Sequence, residues 1–186
     1  MDRTKALPGF GGPAASTEAP LEMLAACHGR VQKQCETLER LPPHVAGHGA
    51  DEPARQAATA VMRYFDTAAV DHHADEEENL FPELSQVSQG EDKAPGLAAL
   101  IQVLCAEHRQ LEARWQVLRG ALAALAAGDA SRLSPSLVSD FVGAYRRHID
   151  CEERVLLPLA QRVLDGASLH RVGEAMRERR GIPPVR

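Results

Sequence analysis

Residues 72–82 read HHADEEENLFP, and the interpretation of this stretch decides how the chain is built. It contains two overlapping His-x-x-x-Glu pairs, His72/Glu76 and His73/Glu77. Residues four apart on an α-helix share a face, at roughly 5–6 Å between Cβ atoms. Either pair could therefore offer an imidazole and a carboxylate to one metal ion. A single pair of this kind is common on a solvated helix, so a second observation is needed.

A second copy of the stretch, HIDCEERVLLP, begins at His148. When the prolines that end the two copies are aligned, His72/Glu76 coincides with His148/Glu152. His73 has no counterpart, and it lies about 100° around the helix from its neighbour. The repeat therefore selects the first of the two overlapping pairs and leaves His73, Glu77 and the next glutamate as solvated or supporting residues.

Apolar residues recur at intervals of three and four along four segments, the spacing typical of helices packed in a bundle. Each segment carries one histidine in its core-facing row, and a buried imidazole needs a partner for its nitrogens. The four histidines are His28, His72, His108 and His148. We therefore predict an all-α, antiparallel up-down-up-down four-helix bundle with a short C-terminal fifth helix.

Capping residues and prolines set the expected helix ends. We expect the first helix over about 20–41, with Thr17 or Glu18 as its cap. Two consecutive prolines should end it, and HVAGH at 44–48 should be a loop. The second should run from Pro53 to Asn79 with Asp51 as its cap, the third over about 95–127, and the fourth from Pro135 with Ser134 as its cap.

The composition excludes several classes of protein. The net charge of −5 gives no reason to expect nucleic-acid or membrane-surface binding. No apolar run approaches the ~20 residues that span a bilayer. The first residues lack a signal-peptide core, and four cysteines without a Cys-x-x-Cys pair favour reduced thiols, so we expect a cytoplasmic location. The predicted parts are a Pro/Gly-rich arm (1–19), the bundle (20–165) and a short helix with a tail (166–186).

The candidate metal ligands are four imidazoles and two carboxylates, which are too many for one tetrahedral zinc. They suit two metal ions held close together with the carboxylates between them. This donor set is compatible with iron, manganese or zinc. The set comprises His28, His72, Glu76, His108, His148 and Glu152.

These residues and the segments EEENLFP and EERVLLP resemble the hemerythrin-like family, also called the HHE cation-binding domain, over about residues 20–165. The resemblance implies a four-helix bundle around a di-iron centre with carboxylate and oxo or hydroxo bridges; zinc or manganese could substitute. It further implies that His28 and His72 serve one iron, and His108 and His148 the other. Glu76 and Glu152 would bridge them.

One position departs from the oxygen-carrying members, which have two histidines four residues apart on the third helix. Here the second position is Glu112, so one iron would take Glu112, water or nothing. The resemblance implies a protein that binds or senses dioxygen or a related small oxidant, nitric oxide or peroxide, whereas this departure argues against stable oxygen carriage. The alternatives are an iron-handling module and an enzyme that removes peroxide or nitric oxide. We expect a binding protein rather than an enzyme, and the sequence identifies no protein partner.

Some nearby residues remain open. Cys27, Cys105 and Cys151 lie close to the histidines in sequence and could be redox-active, although apolar packing is the more common role of buried cysteine. Tyr145 could donate a hydrogen bond in the site or simply pack in the core. The arginines of the last 16 residues are expected to form a solvated face.

Overall fold

The computed structural model describes residues 17–88 and 96–183, and all regular structure within these ranges is helical. This confirms the predicted all-α class. The arm predicted at 1–19 lies almost wholly outside the described residues, and the three-part division stays a prediction. The elements are α1 (Pro20–His48), α2 (Glu52–Phe65), α3 (Ala68–Asp75), the π-helical turn π1 (Glu76–Leu80), α4 (Phe81–Ser88), α5 (Leu97–Ala126), α6 (Pro135–Cys151), the π-helical turn π2 (Glu152–Leu156), α7 (Leu157–Val163) and α8 (Gly166–Arg179).

Helix α1 is longer than predicted. It continues through Pro42 and Pro43 and includes the HVAGH segment that was expected to be a loop. Each of the two prolines lacks an N–H group and so removes one hydrogen bond, to a carbonyl in the preceding turn, while the rest of the helix keeps its bonds. The end of the helix is then held by His44, whose Nε2 lies 2.9 Å from Asp51 Oδ1, and it terminates at Gly49, which has a φ of 68°.

The predicted caps of the second and fourth helices are confirmed. The Asp51 carboxylate accepts a hydrogen bond from the N–H of Ala54 at 3.0 Å, and the Ser134 hydroxyl accepts one from Leu137 at 3.2 Å. These bonds satisfy N–H groups that have no partner within the helix. The predicted cap of α1 is wrong, because its N-cap residue is Ala19, which makes no side-chain capping bond.

The second predicted helix is interrupted at Asp66 and Thr67, between α2 and α3. The Asp66 carboxylate accepts hydrogen bonds from Trp115 Nε1 at 3.0 Å and from Arg119 Nε at 2.9 Å, both on α5. These bonds attach the break between α2 and α3 to α5. Helical periodicity in the sequence cannot reveal a break that depends on contacts with another helix.

Each copy of the repeated stretch contains a π-helical turn that begins at its glutamate. The N–H of Phe81 donates to the carbonyl of Glu76, and the N–H of Leu157 donates to that of Glu152, so each bond spans five residues instead of four. A proline follows each donor, and in a regular helix its ring would clash with the carbonyl four residues earlier. π-Turns of this kind are frequent at functional sites.

Two apolar clusters fill the bundle. Cluster I contains the buried apolar residues from Val31 onward in α1 and from Leu111 onward in α5, with their partners on α2 and α6. Cluster II contains the apolar residues that precede position 28 in α1 and position 108 in α5, with partners from π1, α4, π2, α7 and α8. On each long helix, the predicted metal ligands lie where one cluster gives way to the other.

Four helices surround the predicted metal ligands. Helix α1 packs against α2 and α6, and α5 packs against the same two helices. Among residues 17–88 and 96–183, no helix combines the length and the apolar character that crossing a membrane would require.

Helix α8 confirms the predicted fifth helix but not its solvated arginine face. Arg171 is exposed and pairs with Glu83, whereas Arg177 and Arg180 are largely buried. Helix α8 also approaches the chain before α1 closely, because a Cβ at Gly173 would overlap the carbonyl oxygen of Thr17.

Asp75 anchors α8 to the start of π1. Its carboxylate is fully buried and accepts hydrogen bonds from Arg179 Nε at 3.0 Å and from Arg180. Arg179 also donates to Asn79 at 2.9 Å and to Glu78 at 2.9 Å. Burial raises the pKa of Asp75, although the two guanidinium groups oppose that shift.

We predict that Asp75→Ala lowers the free energy of unfolding of the metal-free protein by about 3–5 kcal/mol, because it leaves the buried Arg180 without its anion. Urea unfolding measures the change. Asp150→Ala is the control, since its pair with Arg154 is exposed and should contribute less than about 1 kcal/mol. Equal effects of the two substitutions would contradict the structural role given to Asp75.

Candidate metal centre

The six side chains selected from the sequence form one buried layer between clusters I and II. Each is at most 1% exposed, which is unusual for imidazoles and carboxylates. The layer is made of His28 from α1, His72 from α3, Glu76 from π1, His108 from α5, His148 from α6 and Glu152 from π2.

The layer divides into two groups that have both glutamates in common. In each group the potential ligand atoms lie within 4.8 Å of one another. The first group is His28, His72, Glu76 and Glu152, and the second is Glu76, His108, His148 and Glu152.

Glu152 directs one carboxylate oxygen towards each group. Its Oε2 lies 3.1 Å from Nε2 of His28, while its Oε1 lies 3.0 Å from Nε2 of His148. A carboxylate placed in this way can bind two metal ions through separate oxygens.

Glu76 has the same arrangement. Its Oε1 lies 3.7 Å from Nε2 of His72, and its Oε2 lies 3.4 Å from Nε2 of His108. Nε2 of His108 also lies 3.0 Å from Nε2 of His148. The two nitrogens therefore converge on one position, at hydrogen-bond distance from each other.

Unpaired buried atoms show that the layer fits metal ions. Within the described part of the chain, Nε2 of His28 and both ring nitrogens of His72 make no hydrogen bond of good geometry, nor do the carboxylate oxygens of Glu76 and Glu152. Burying such atoms without partners is costly. Their convergence, together with their nitrogen and oxygen chemistry, matches the needs of a metal pair.

Three further carboxylates orient the histidines from outside the layer. Nδ1 of His28 lies 3.2 Å from Glu153, that of His108 lies 2.7 Å from Glu77, and that of His148 lies 2.9 Å from Glu107. Each ring therefore points its Nε2 inwards, as is usual for metal-binding histidines with carboxylate partners.

The sequence repeat contains a signal for two of these partners, of which the sequence analysis considered only Glu77, as a solvated or supporting residue. Glu77 and Glu153 directly follow the two central glutamates, and each reaches the histidine of a helix outside its own copy. Glu107 directly precedes His108, but the residue before His28 is Cys27. Nδ1 of His72, in the first ligand group, has no hydrogen-bond partner, whereas Nδ1 of both histidines in the second group lies close to a carboxylate. The two ligand groups are therefore chemically different.

Protonation balances the charge of the metal-free layer. Burial alone would lower the pKa of His108, but the carboxylates of Glu152 and Glu76 outweigh it and raise that pKa to about 10. Burial also opposes the charged form of His148, whose pKa the Glu152 carboxylate nevertheless raises. Burial and neighbouring His28 lower the pKa of His72 to about 3.

The two glutamates shift in opposite directions. Burial and the charge of Glu152 raise the pKa of Glu76 to about 8. Burial would also raise the pKa of Glu152, but contacts with His108, His148 and His28 hold it well below its usual range. Protons on the imidazoles and on Glu76 thus provide the compensation that metal ions would otherwise supply.

The residues whose roles the sequence left open lie outside the two ligand groups. Glu112 is exposed and belongs to no ligand group among the described residues. His73 lies beside the second group, with its ring stacked on that of His108 at 4.1 Å.

None of the cysteines belongs to a ligand group within the described ranges, and the thiol of Cys27 accepts a hydrogen bond from Arg30 at 2.8 Å. The Tyr145 hydroxyl lies 3.0 Å from Nε2 of His73.

We predict that metal affinity rises continuously from pH 6 to above pH 8. The raised pKa values of His108 and Glu76 mean that both retain protons at pH 7, and a metal ion must displace them. Affinity should increase about tenfold per pH unit for each displaced proton. Competition with a chelator at fixed pH measures it. A plateau above about pH 7, as for imidazoles of ordinary pKa, would contradict this prediction.

Comparison with known proteins agrees with this geometry. The family model of the hemerythrin HHE cation binding domain matches residues 19–160. An uncharacterised protein of Haemophilus influenzae is 32% identical over 168 residues, a match that covers 90% of this chain and 94% of that protein. The chain belongs to the hemerythrin HHE cation-binding domain family.

Proposed function

We propose that this protein holds two iron ions and binds or senses dioxygen or a related small oxidant, such as nitric oxide or peroxide. The observation that carries the proposal is the position of Glu76 and Glu152, each of which directs one oxygen to each histidine group. A site for one ion would not need two carboxylates shared between two pairs of imidazoles.

In this proposal His28 and His72 hold the first iron, His108 and His148 hold the second, and the two glutamates bridge them. The iron pair would supply the electrons for the reaction with the oxidant. The protein positions the ligands through Glu153, Glu77 and Glu107, and clusters I and II exclude bulk water from both sides.

The up-down-up-down course of the four helices is part of the same proposal. Helix α1 passes from cluster II to cluster I, and the segment from α2 to α4 passes from cluster I to cluster II. Helix α5 repeats the first order, and the segment from α6 to α7 repeats the second. This alternation supports the antiparallel arrangement. A cytoplasmic location remains a prediction from the sequence.

We predict that the purified protein contains two irons per chain, and that Glu76→Ala or Glu152→Ala loses both, because each carboxylate belongs to both groups. Elemental analysis measures the content. Glu112→Ala is the control and should retain both irons, since Glu112 is exposed and outside the groups. One zinc and no iron in protein prepared without metal exchange would refute the di-iron proposal. Loss of a single iron from a glutamate variant would contradict the sharing of that carboxylate between the two metal positions.

Spectroscopy distinguishes the proposed function from its alternatives. Reversible changes in the absorption of the iron-loaded protein on cycling dioxygen or nitric oxide would support binding or sensing. Rapid irreversible oxidation without such changes would favour an iron-handling module. Sustained turnover of added peroxide or nitric oxide would favour an enzyme.

A further inference from the structure

A cleft of about 790 Å³ opens between the α2–α3 segment and α5 and reaches the second ligand group. Val70 lies among its lining residues and is 58% exposed, whereas the lining residues His108 and Tyr145 are buried. The first-group histidines, His28 and His72, do not line it. Any molecule that enters the cleft therefore approaches the side of the layer that contains His108.

His73 lines this cleft directly beside His108 of the second ligand group. Its ring stacks on that of His108, with centroids 4.1 Å apart and planes 14° apart. His108 and Tyr145 are almost completely buried, but His73 is only half-buried. The hydrogen bond between the Tyr145 hydroxyl and Nε2 of His73, at 3.0 Å, holds the ring in this position.

His73 is placed as a neighbour of the metal pair and not as one of its ligands, although its nitrogens lie close to those of His108 and His148. A metal ion binds an imidazole nitrogen near the plane of the ring. Because the rings of His73 and His108 are stacked and nearly parallel, an ion in the plane of His108 lies away from that of His73. The nitrogen Nε2 of His73 is in addition engaged by Tyr145.

The charges along the cleft disfavour an anionic ligand. Arg109 pairs with Glu77, and Arg119 pairs with Asp66 at 2.9 Å, so both arginines of the lining already have carboxylate partners. Glu112 adds a further carboxylate to the lining. An anion would meet more negative than positive charge on this path, whereas a small neutral molecule would meet no electrostatic barrier.

We propose that this cleft is the entrance for a small uncharged oxidant, and that His73, held by Tyr145, is the residue the oxidant must pass to reach the second metal position. The inference rests on the proposed di-iron function. It adds the path by which the oxidant enters, the absence of charge on the oxidant, and two residues that control its entry, His73 and Tyr145.

The test measures the association rate of nitric oxide with the diferrous protein by anaerobic stopped-flow absorption. Val70→Trp, which places a large ring in the entrance, should slow association several-fold. Val117→Trp is the matched control, because Val117 is 62% exposed on α5 but does not line the cleft, and its rate should equal that of the unmodified protein.

Two substitutions test the roles of His73 and Tyr145. His73→Ala removes the ring and should accelerate association several-fold while both irons are retained. Tyr145→Phe removes the hydroxyl that holds His73 and should accelerate association to a smaller extent, again with both irons retained. Loss of iron from His73→Ala would overturn the assignment, because His73 would then be a ligand.

Iron content is measured on the same samples, so that the two proposals fail differently. Unmodified protein without iron would refute the di-iron function and this inference with it. Full iron content with equal rates in Val70→Trp and Val117→Trp would refute the cleft as the entrance while leaving the di-iron function intact. An effect of Val70→Trp on azide binding but not on nitric oxide binding would overturn the assignment of an uncharged ligand.

Discussion

The structure depends on the burial of two carboxylates, Glu76 and Glu152, in the middle of an otherwise apolar bundle. Burying an isolated carboxylate is strongly unfavourable unless positive charge and hydrogen-bond donors compensate for it. Here the compensation comes from a ring of imidazoles, in which the pKa of His108 is raised and that of His72 is lowered in the absence of metal. The separation of the core into two clusters follows, because neither cluster can extend through this polar layer.

The backbone adapts to the same requirement. Each glutamate begins a π-helical turn, and a proline follows shortly after the end of each turn. The residue after each glutamate extends away from the layer and holds a histidine on another helix, as Glu77 holds His108. A short repeated stretch thus provides a ligand, its local backbone geometry and an orienting partner for a distant ligand.

The C-terminal helix extends this arrangement beyond the four main helices. Arg179 and Arg180 bind Asp75, the residue immediately before Glu76, and Arg179 also binds residues within π1. The position of the central carboxylate is therefore coupled to α8. The two sides of the metal layer also differ: cluster II and α8 close one end of the bundle, whereas the second ligand group is approached from the cleft beside α5.

The sequence by itself determined the all-α class, the positions of the four core histidines and the register of the His-x-x-x-Glu pairs, because helical periodicity and an internal repeat are local properties of the chain. It could not determine the role of His73, which depends on stacking against His108 and on a hydrogen bond from Tyr145, 72 residues away. Nor could it place the buried arginines of α8, since a charged residue is solvated by default until a distant carboxylate such as Asp75 is brought to it. Only the tertiary structure decided these contacts, because they join residues that are remote in sequence and that neither periodicity nor spacing relates.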